Sequence, residues 1–278
     1  MIRLVAIDVD GTLLNGRGEI PPANLEALHA AAARGVLLAV VTGRSYPFAL
    51  PAVGDLPDPL TLVVYNGAVA RVRGGETIAR FTIHPAVAAR VLAATRAWRS
   101  ATTVQFDRAD AGQTLFDQLS WDHPNRRGYY ARVRHHVSQV EDLEAAMLDA
   151  DPVQVGFNGP TADMRRLHVE LAGLADWPSL SVSATHYPVR DFSLVDVNAA
   201  GATKGGMLAV VAAHFGVARD EVFAIGDNHN DVDMLQWAGT AAVMGNAEPE
   251  VLALGLPIVP TNDQAGLAMA IKRYVLDI

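Results

Sequence analysis

The hydrophobic positions of this chain fall into two patterns. The first is a series of nearly unbroken apolar runs: residues 4–9, VLLAVVT at 36–42, TLVVYNG at 61–67, EVFAIGD at 221–227 and TAAVMGN at 240–246. Runs of this length, rich in Val, Ile and Leu, read as strands buried on both faces of a parallel sheet. Helical patterns separate them. Leu25, Leu28 and Ala32 set a helical face over 24–34 that Gly35 closes, and Thr203 and Gly216 bracket a helix over 204–215. Further helices are expected at 230–238, 248–254 and 263–276, and a hairpin at 70–81 around Gly74-Gly75. Strands alternating with helices predict an open α/β sheet.

The second pattern occupies the middle of the chain. Between Thr82 and Tyr187 the strands alternate apolar with polar and carry more Arg and His. Helices are expected at 86–99, 140–149 and 161–174, and strands at 102–107, 113–117, 128–134, 153–157 and 180–184. His84-Pro85 and Tyr187-Pro188 punctuate its ends. The expected organisation is a discontinuous core, 1–81 with 188–278, interrupted by an α+β insert over 82–187. FSLVDVN (192–198) is read as the strand with which the core resumes.

Composition narrows the possibilities. Half of the 278 residues are apolar, enough for a sizeable core. There is no cysteine, which excludes disulfides, thiolate nucleophiles and Cys-ligated zinc and fits a reducing cytoplasm. The net charge is −8 with no basic stripe, which argues against nucleic acid or an anionic membrane as partner. No apolar run approaches the roughly 20 residues of a membrane span, and Met1-Ile2 leads straight into the first strand with no leader pattern.

Four of the apolar runs end in polar residues: Asp8, Thr42, Asn66 and Asp227. In open α/β sheets ligands bind beyond the carboxyl ends of the strands, where strand order reverses. Asp8 and Asp10 beside a buried strand need a partner for their charge, and aspartates are hard oxygen ligands suited to Mg²⁺ with phosphate oxygens and water. Thr42 and the Gly43 amide are neutral donors for a phosphate oxygen. Lys204 stands in the first turn of its helix, where the helix dipole disfavours a cation; carboxylates and a phosphate nearby would compensate it. Asp227-Asn228-His229-Asn230-Asp231 follows the fourth run, with Asp231 at a helix start, where the dipole alone would favour an acid.

The order DVDGT, TGR, Thr203-Lys204-Gly205 and GDNHND resembles the haloacid dehalogenase superfamily of phosphohydrolases, and the large insert resembles its Cof-type branch with a C2B cap. The resemblance spans the whole chain. It implies a Rossmann-like doubly wound parallel sheet with an inserted α+β cap that sets substrate specificity. It implies Asp8 as a nucleophile forming an aspartyl-phosphate and as a Mg²⁺ ligand. Asp10 is implied as general acid/base, binding the metal through its backbone carbonyl. Thr42 and Gly43 would hold the phosphoryl group, Lys204 would neutralise nucleophile and phosphate, and Asn230 would touch phosphate. Asp227, Asn228 and Asp231 would complete or support the metal site, and Asn66-Gly67 would line the substrate pocket. Thr203 stands where the family more often has Ser, and the hydroxyl is kept.

The expected function is therefore a cytoplasmic, Mg²⁺-dependent phosphatase acting on a small phosphorylated metabolite such as a sugar phosphate. Two other classes use similar residues. A phosphomutase or phosphotransferase would share the aspartyl-phosphate but needs a second acceptor. A phospho-switch like a receiver domain would be shorter, lack an insert and carry its Asp on a later strand. Within the insert, Arg126 and Arg127 in the polar, aromatic stretch 118–132 are candidates for a second anionic group of the substrate, against the alternative of a solvated loop.

Overall fold

A computed structural model of the chain describes residues 1–108, 111–148, 150–173, 179–187 and 190–278. Asp149, Leu174 and Pro188, at the ends of two expected helices and at the expected domain boundary, lie outside the described residues.

The chain opens with β1 (Leu4–Ile7), α1 (Pro22–Ala33), β2 (Leu37–Val41), α2 (Tyr46–Ala49), β3 (Leu60–Val64), β4 (Val69–Val72) and β5 (Thr77–Arg80). It continues with α3 (Pro85–Ala94), β6 (Thr102–Gln105), β7 (Thr114–Phe116), α4 (Pro124–Ala131), β8 (Val137–Gln139), β9 (Gln154–Gly159), α5 (Thr161–Ala172), β10 (Leu180–Tyr187) and β11 (Phe192–Ala199). It ends with α6 (Lys204–His214), β12 (Val222–Gly226), α7 (Val232–Trp237), β13 (Thr240–Met244), α8 (Pro249–Leu252), β14 (Ile258–Val259) and α9 (Gly266–Ile271). These elements form two compact units, Met1–Ala79 with Thr203–Ile278, and Arg80–Ala202.

The discontinuous unit is built on a sheet of order β14-β13-β12-β1-β2-β3-β4-β5. Its strands from β14 to β3 run parallel, and β4 is antiparallel to β3. β1, β3 and β12 are buried at every position, as unbroken apolar runs require of strands covered on both faces. From β1 the chain builds outward through β2 and β3 on one side, then through β12, β13 and β14 on the other. The order reverses between β1 and β12, and this is the switch point where α/β sheets bind ligands.

The inserted unit carries a sheet of order β10-β11-β9-β6-β7-β8, antiparallel except for the β7–β8 pair. Its core joins Val155, Phe157, Val195 and Val197 of the sheet to Val91 and Leu92 of α3 and to Met164, Leu167 and Leu171 of α5.

Three expectations are corrected here. Residues 192–198 do not resume the core sheet. They form β11, antiparallel to both β9 and β10, with Val195 and Val197 on the apolar face and Asp196 and Asn198 alternating with them. That alternation is the signature of an antiparallel strand. The compact units consequently divide at 202/203, not at 187/188. Residues 128–134 are not a strand: 124–131 form α4, whose buried residues Arg126 and Tyr130 lie one helical turn apart. The helical period is carried there by polar and aromatic side chains, and Pro124 occupies the first turn. Finally, among the described residues of 140–148 the helical structure is a single 3₁₀ turn, Ala145–Met147, where Asp142 Oδ1 accepts from the Ala145 amide at 2.9 Å. Such local side-chain bonds compete with helix.

Candidate active site

Asp8 is the first residue after β1, Asp227 the first after β12 and Thr42 the first after β2, while Asn66 follows β3 by two residues. Ile7 pairs with both Ile225 and Val40, so these endings lie side by side. Parallel register is what collects them at one edge of the sheet.

Lys204 joins the two sides of the switch point. The Thr203 hydroxyl caps α6 by accepting from the Gly206 amide at 3.0 Å, which sets Lys204 at the first helical position. Its ammonium donates to Asp8 Oδ1 at 2.6 Å and to Asp231 Oδ1 at 2.5 Å. Burial alone would push this ammonium down, but Asp231 and Asp8 outweigh it and hold the lysine above its ordinary range. These two carboxylates are the compensation that its unfavourable helix position requires.

Asp8, Asp227 and Asp231 each bring a carboxylate oxygen to within 4.8 Å of the others, and all three are buried. Burial, and then repulsion by Asp231, raise Asp8 to about 7 despite the lysine. Burial, Asp8 and Asp231 hold Asp227 well above the usual carboxylate range. One ammonium does not balance three carboxylates in a dry site, so the cluster has the charge and the oxygen donors to fit a hard divalent cation. Hydrogen bonds hold these side chains in place. Thr12 Oγ1 donates to Asp227 Oδ1 at 2.7 Å. Asp231 Oδ2 accepts the amides of Asp227 and Asn228 at 3.0 and 2.9 Å. Asn228 Oδ1 accepts the His229 amide at 2.9 Å. Gly11, at φ +91°, has no room for a side chain: a Cβ there would lie 2.3 Å from Asp227 Oδ2.

The neutral residues meet beside this cluster. Asn66 adopts left-handed backbone (φ 53°, ψ 30°), and its Oδ1 accepts from Asn230 Nδ2 at 2.9 Å. A Cβ on Gly43 would lie 2.9 Å from that same oxygen. Gly67, at φ +101°, lets the backbone reach the chain ahead of Lys204: a Cβ would stand 2.1 Å from the Thr203 carbonyl oxygen. Thr42, Gly43, Asn66, Gly67, Asn230 and Lys204 thus form one set, although up to 188 residues separate Thr42 from Asn230 in sequence (230 − 42).

Asp10 stands apart from the acidic cluster. Its carboxylate is gripped by Arg44, Nε to Oδ2 at 2.8 Å and Nη2 to Oδ1 at 2.6 Å. Arg126 and Arg127 belong to the inserted unit. Arg126 is 4% exposed; it donates to Asn158 Oδ1 at 2.7 Å, to the Ser100 and Ser120 carbonyls and to the Asn158 carbonyl. Arg127 is exposed and donates to the Trp121 carbonyl at 2.7 Å.

Sequence reasoning passed over Thr12, Arg44 and Asn246. Thr12 and Arg44 sit inside the DVDGT and TGR motifs, and that membership was the only signal available; their contacts with Asp227 and Asp10 join positions 215 and 34 residues apart. Asn246, which donates to the Gly11 carbonyl at 2.8 Å, closes the apolar run TAAVMGN, so a polar end to an apolar run was its available signal too.

A profile of haloacid dehalogenase-like hydrolases matches residues 5–271, and the chain belongs to that family. An HMP-PP phosphatase of Citrobacter koseri is 28% identical over 256 residues, covering 91% of this chain and 88% of that protein. A 5-amino-6-(5-phospho-D-ribitylamino)uracil phosphatase of Bacillus subtilis is 27% identical, covering 99% of this chain and 96% of its own. Among solved structures, a phosphatase of the same superfamily from Bacteroides thetaiotaomicron superposes with a TM-score of 0.80 at 25% identity, over 98% of this chain and 95% of that one. Among the described residues, no helix is long and apolar enough to cross a membrane.

Proposed function

We propose that this protein is a Mg²⁺-dependent phosphatase that hydrolyses a small phosphorylated metabolite through an aspartyl-phosphate on Asp8. The observation that carries this reading is the placement of Asp8: buried at the switch point, hydrogen-bonded to Lys204 and grouped with Asp227 and Asp231.

In this reading Asp8 attacks phosphorus in line with the ester oxygen. Lys204, the Thr42 hydroxyl, the Gly43 amide and Asn230 hold the equatorial oxygens and offset the charge that gathers on them. Asp8, Asp227, Asp231 and the Asp10 backbone carbonyl would hold the Mg²⁺, with Asn228 beside them. When bound, the ion neutralises phosphoryl charge and Asp8 itself. Asp10 protonates the departing oxygen, then accepts a proton from the water that hydrolyses the acyl phosphate. The two named relatives act, by their names, on chemically different substrates at near-equal identity to this chain. The class of reaction therefore carries over and the substrate does not. We assign substrate choice to the inserted unit, and the cysteine-free composition favours the cytoplasm as its compartment.

Asp8→Asn removes the attacking oxyanion while keeping the shape of the side chain. It is expected to lower phosphate release from p-nitrophenyl phosphate by at least about 10³-fold. A variant that turns over near the wild-type rate would sink the mechanism.

A further inference from the structure

Arg44 makes a contact that the scheme above leaves without a role. Its fork engages both oxygens of Asp10, and the Phe48 ring lies against the guanidinium, 4.6 Å from the central carbon to the ring centroid. The Arg44 side chain is 13% exposed and that of Asp10 is 37% exposed, so the buried partner anchors the open one. Arg44 is also tied to the phosphate side of the site, because its amide donates to Thr42 Oγ1 at 3.2 Å. The fork therefore links the segment leaving β1 to the segment leaving the adjacent β2. Two parallel N–H···O bonds fix both the position and the plane of a carboxylate; a single contact fixes neither.

We propose that Arg44 is a positioning residue that aims the Asp10 carboxyl group at the ester oxygen; this rests on the phosphatase reading above. In the first half-reaction an Asp8 oxygen bonds to phosphorus as the phosphorus–ester oxygen bond breaks. The bonding pair stays on the ester oxygen, which takes a proton from Asp10. In the second, a water oxygen bonds to phosphorus as the Asp8–phosphorus bond breaks, and Asp10 takes the proton that the water loses. Each carboxylate oxygen has two lone pairs. The fork uses one on each and leaves the other for the proton in transit.

The test compares kcat/KM for a simple alkyl phosphate and for p-nitrophenyl phosphate. This parameter covers the steps through ester cleavage, and nitrophenolate, unlike an alkoxide, departs without a proton. Arg44→Ala is expected to lower kcat/KM for the alkyl ester by about 10²-fold and for the nitrophenyl ester only several-fold. Asp10→Asn should show the same selectivity, and adding Arg44→Ala to it should lower the alkyl rate little further, because both changes remove one function. Arg44→Lys keeps the charge without the fork and should follow Arg44→Ala; it carries the same reading if the alanine variant does not fold. Equal losses on both esters, additive effects in the double variant, or faster cleavage of the alkyl ester would each overturn the proposal. If Asp10→Asn itself does not distinguish the esters, or Asp8→Asn still turns over, the phosphatase reading fails instead.

Discussion

At the scale of single residues, conformation and space decide more than residue type. Gly67 and Gly74 both have positive φ, but a Cβ on Gly74 would meet nothing within 4 Å, whereas on Gly67 it would run into the Thr203 backbone. Gly74→Ala should therefore show the conformational term alone, about 1 kcal/mol. Gly67→Ala adds displacement of the chain that carries Lys204 and should lose roughly 3 kcal/mol or more. Urea unfolding of the two variants measures the difference; equal losses would mean that the close approach is not needed. Asp8, Thr42, Lys204 and Asp227 were legible in sequence because each breaks a local rule, as a polar end to an apolar run or as a cation at a helix start. Arg44 breaks none, so its fork onto Asp10 had no trace in the pattern.

At the scale of elements, periodicity was reliable where apolar residues carried it and failed where polar residues did. The parallel strands β1, β2, β3, β12 and β13 fall on the apolar runs because both their faces are covered. α4 was misread because its inward positions are Arg126 and Tyr130. Arg126 fastens that helix to β9 through Asn158, whose Nδ2 in turn donates to the Tyr130 hydroxyl at 2.9 Å. Removing the guanidinium leaves buried acceptors unmet, each worth about 1–3 kcal/mol. Arg126→Ala should therefore destabilise the protein by at least about 2 kcal/mol in denaturant unfolding. A variant of wild-type stability whose substrate affinity is weakened would instead return Arg126 to the role of anion contact.

At the scale of the whole molecule, the acidic cluster links stability to pH and, in the proposed Mg²⁺-dependent reading, to metal. Asp8 is raised to about 7 in the folded protein from an ordinary 3.8. A raised carboxylate favours the folded state while it is protonated, and that contribution fades as pH climbs from below 4 through 7. A cation must displace the proton, so its binding strengthens over the same interval. The rise in Tm caused by Mg²⁺ should accordingly be larger at pH 8 than at pH 5, and EDTA should abolish it. A Tm shift independent of pH would mean that the metal does not engage Asp8.

The sequence by itself determined the α/β class, the existence of an insert and the residues of the four motifs, since these depend on apolar periodicity and on local rules visible within a few positions. The tertiary structure alone decided which sheet residues 192–198 join, because strand pairing is a choice between distant partners that an isolated run does not record. It alone brought Lys204 between Asp8 and Asp231, since only parallel strands in register set those endings against one helix start. It alone placed Asp10 in the grip of Arg44, a contact between side chains 34 residues apart that no period or propensity encodes.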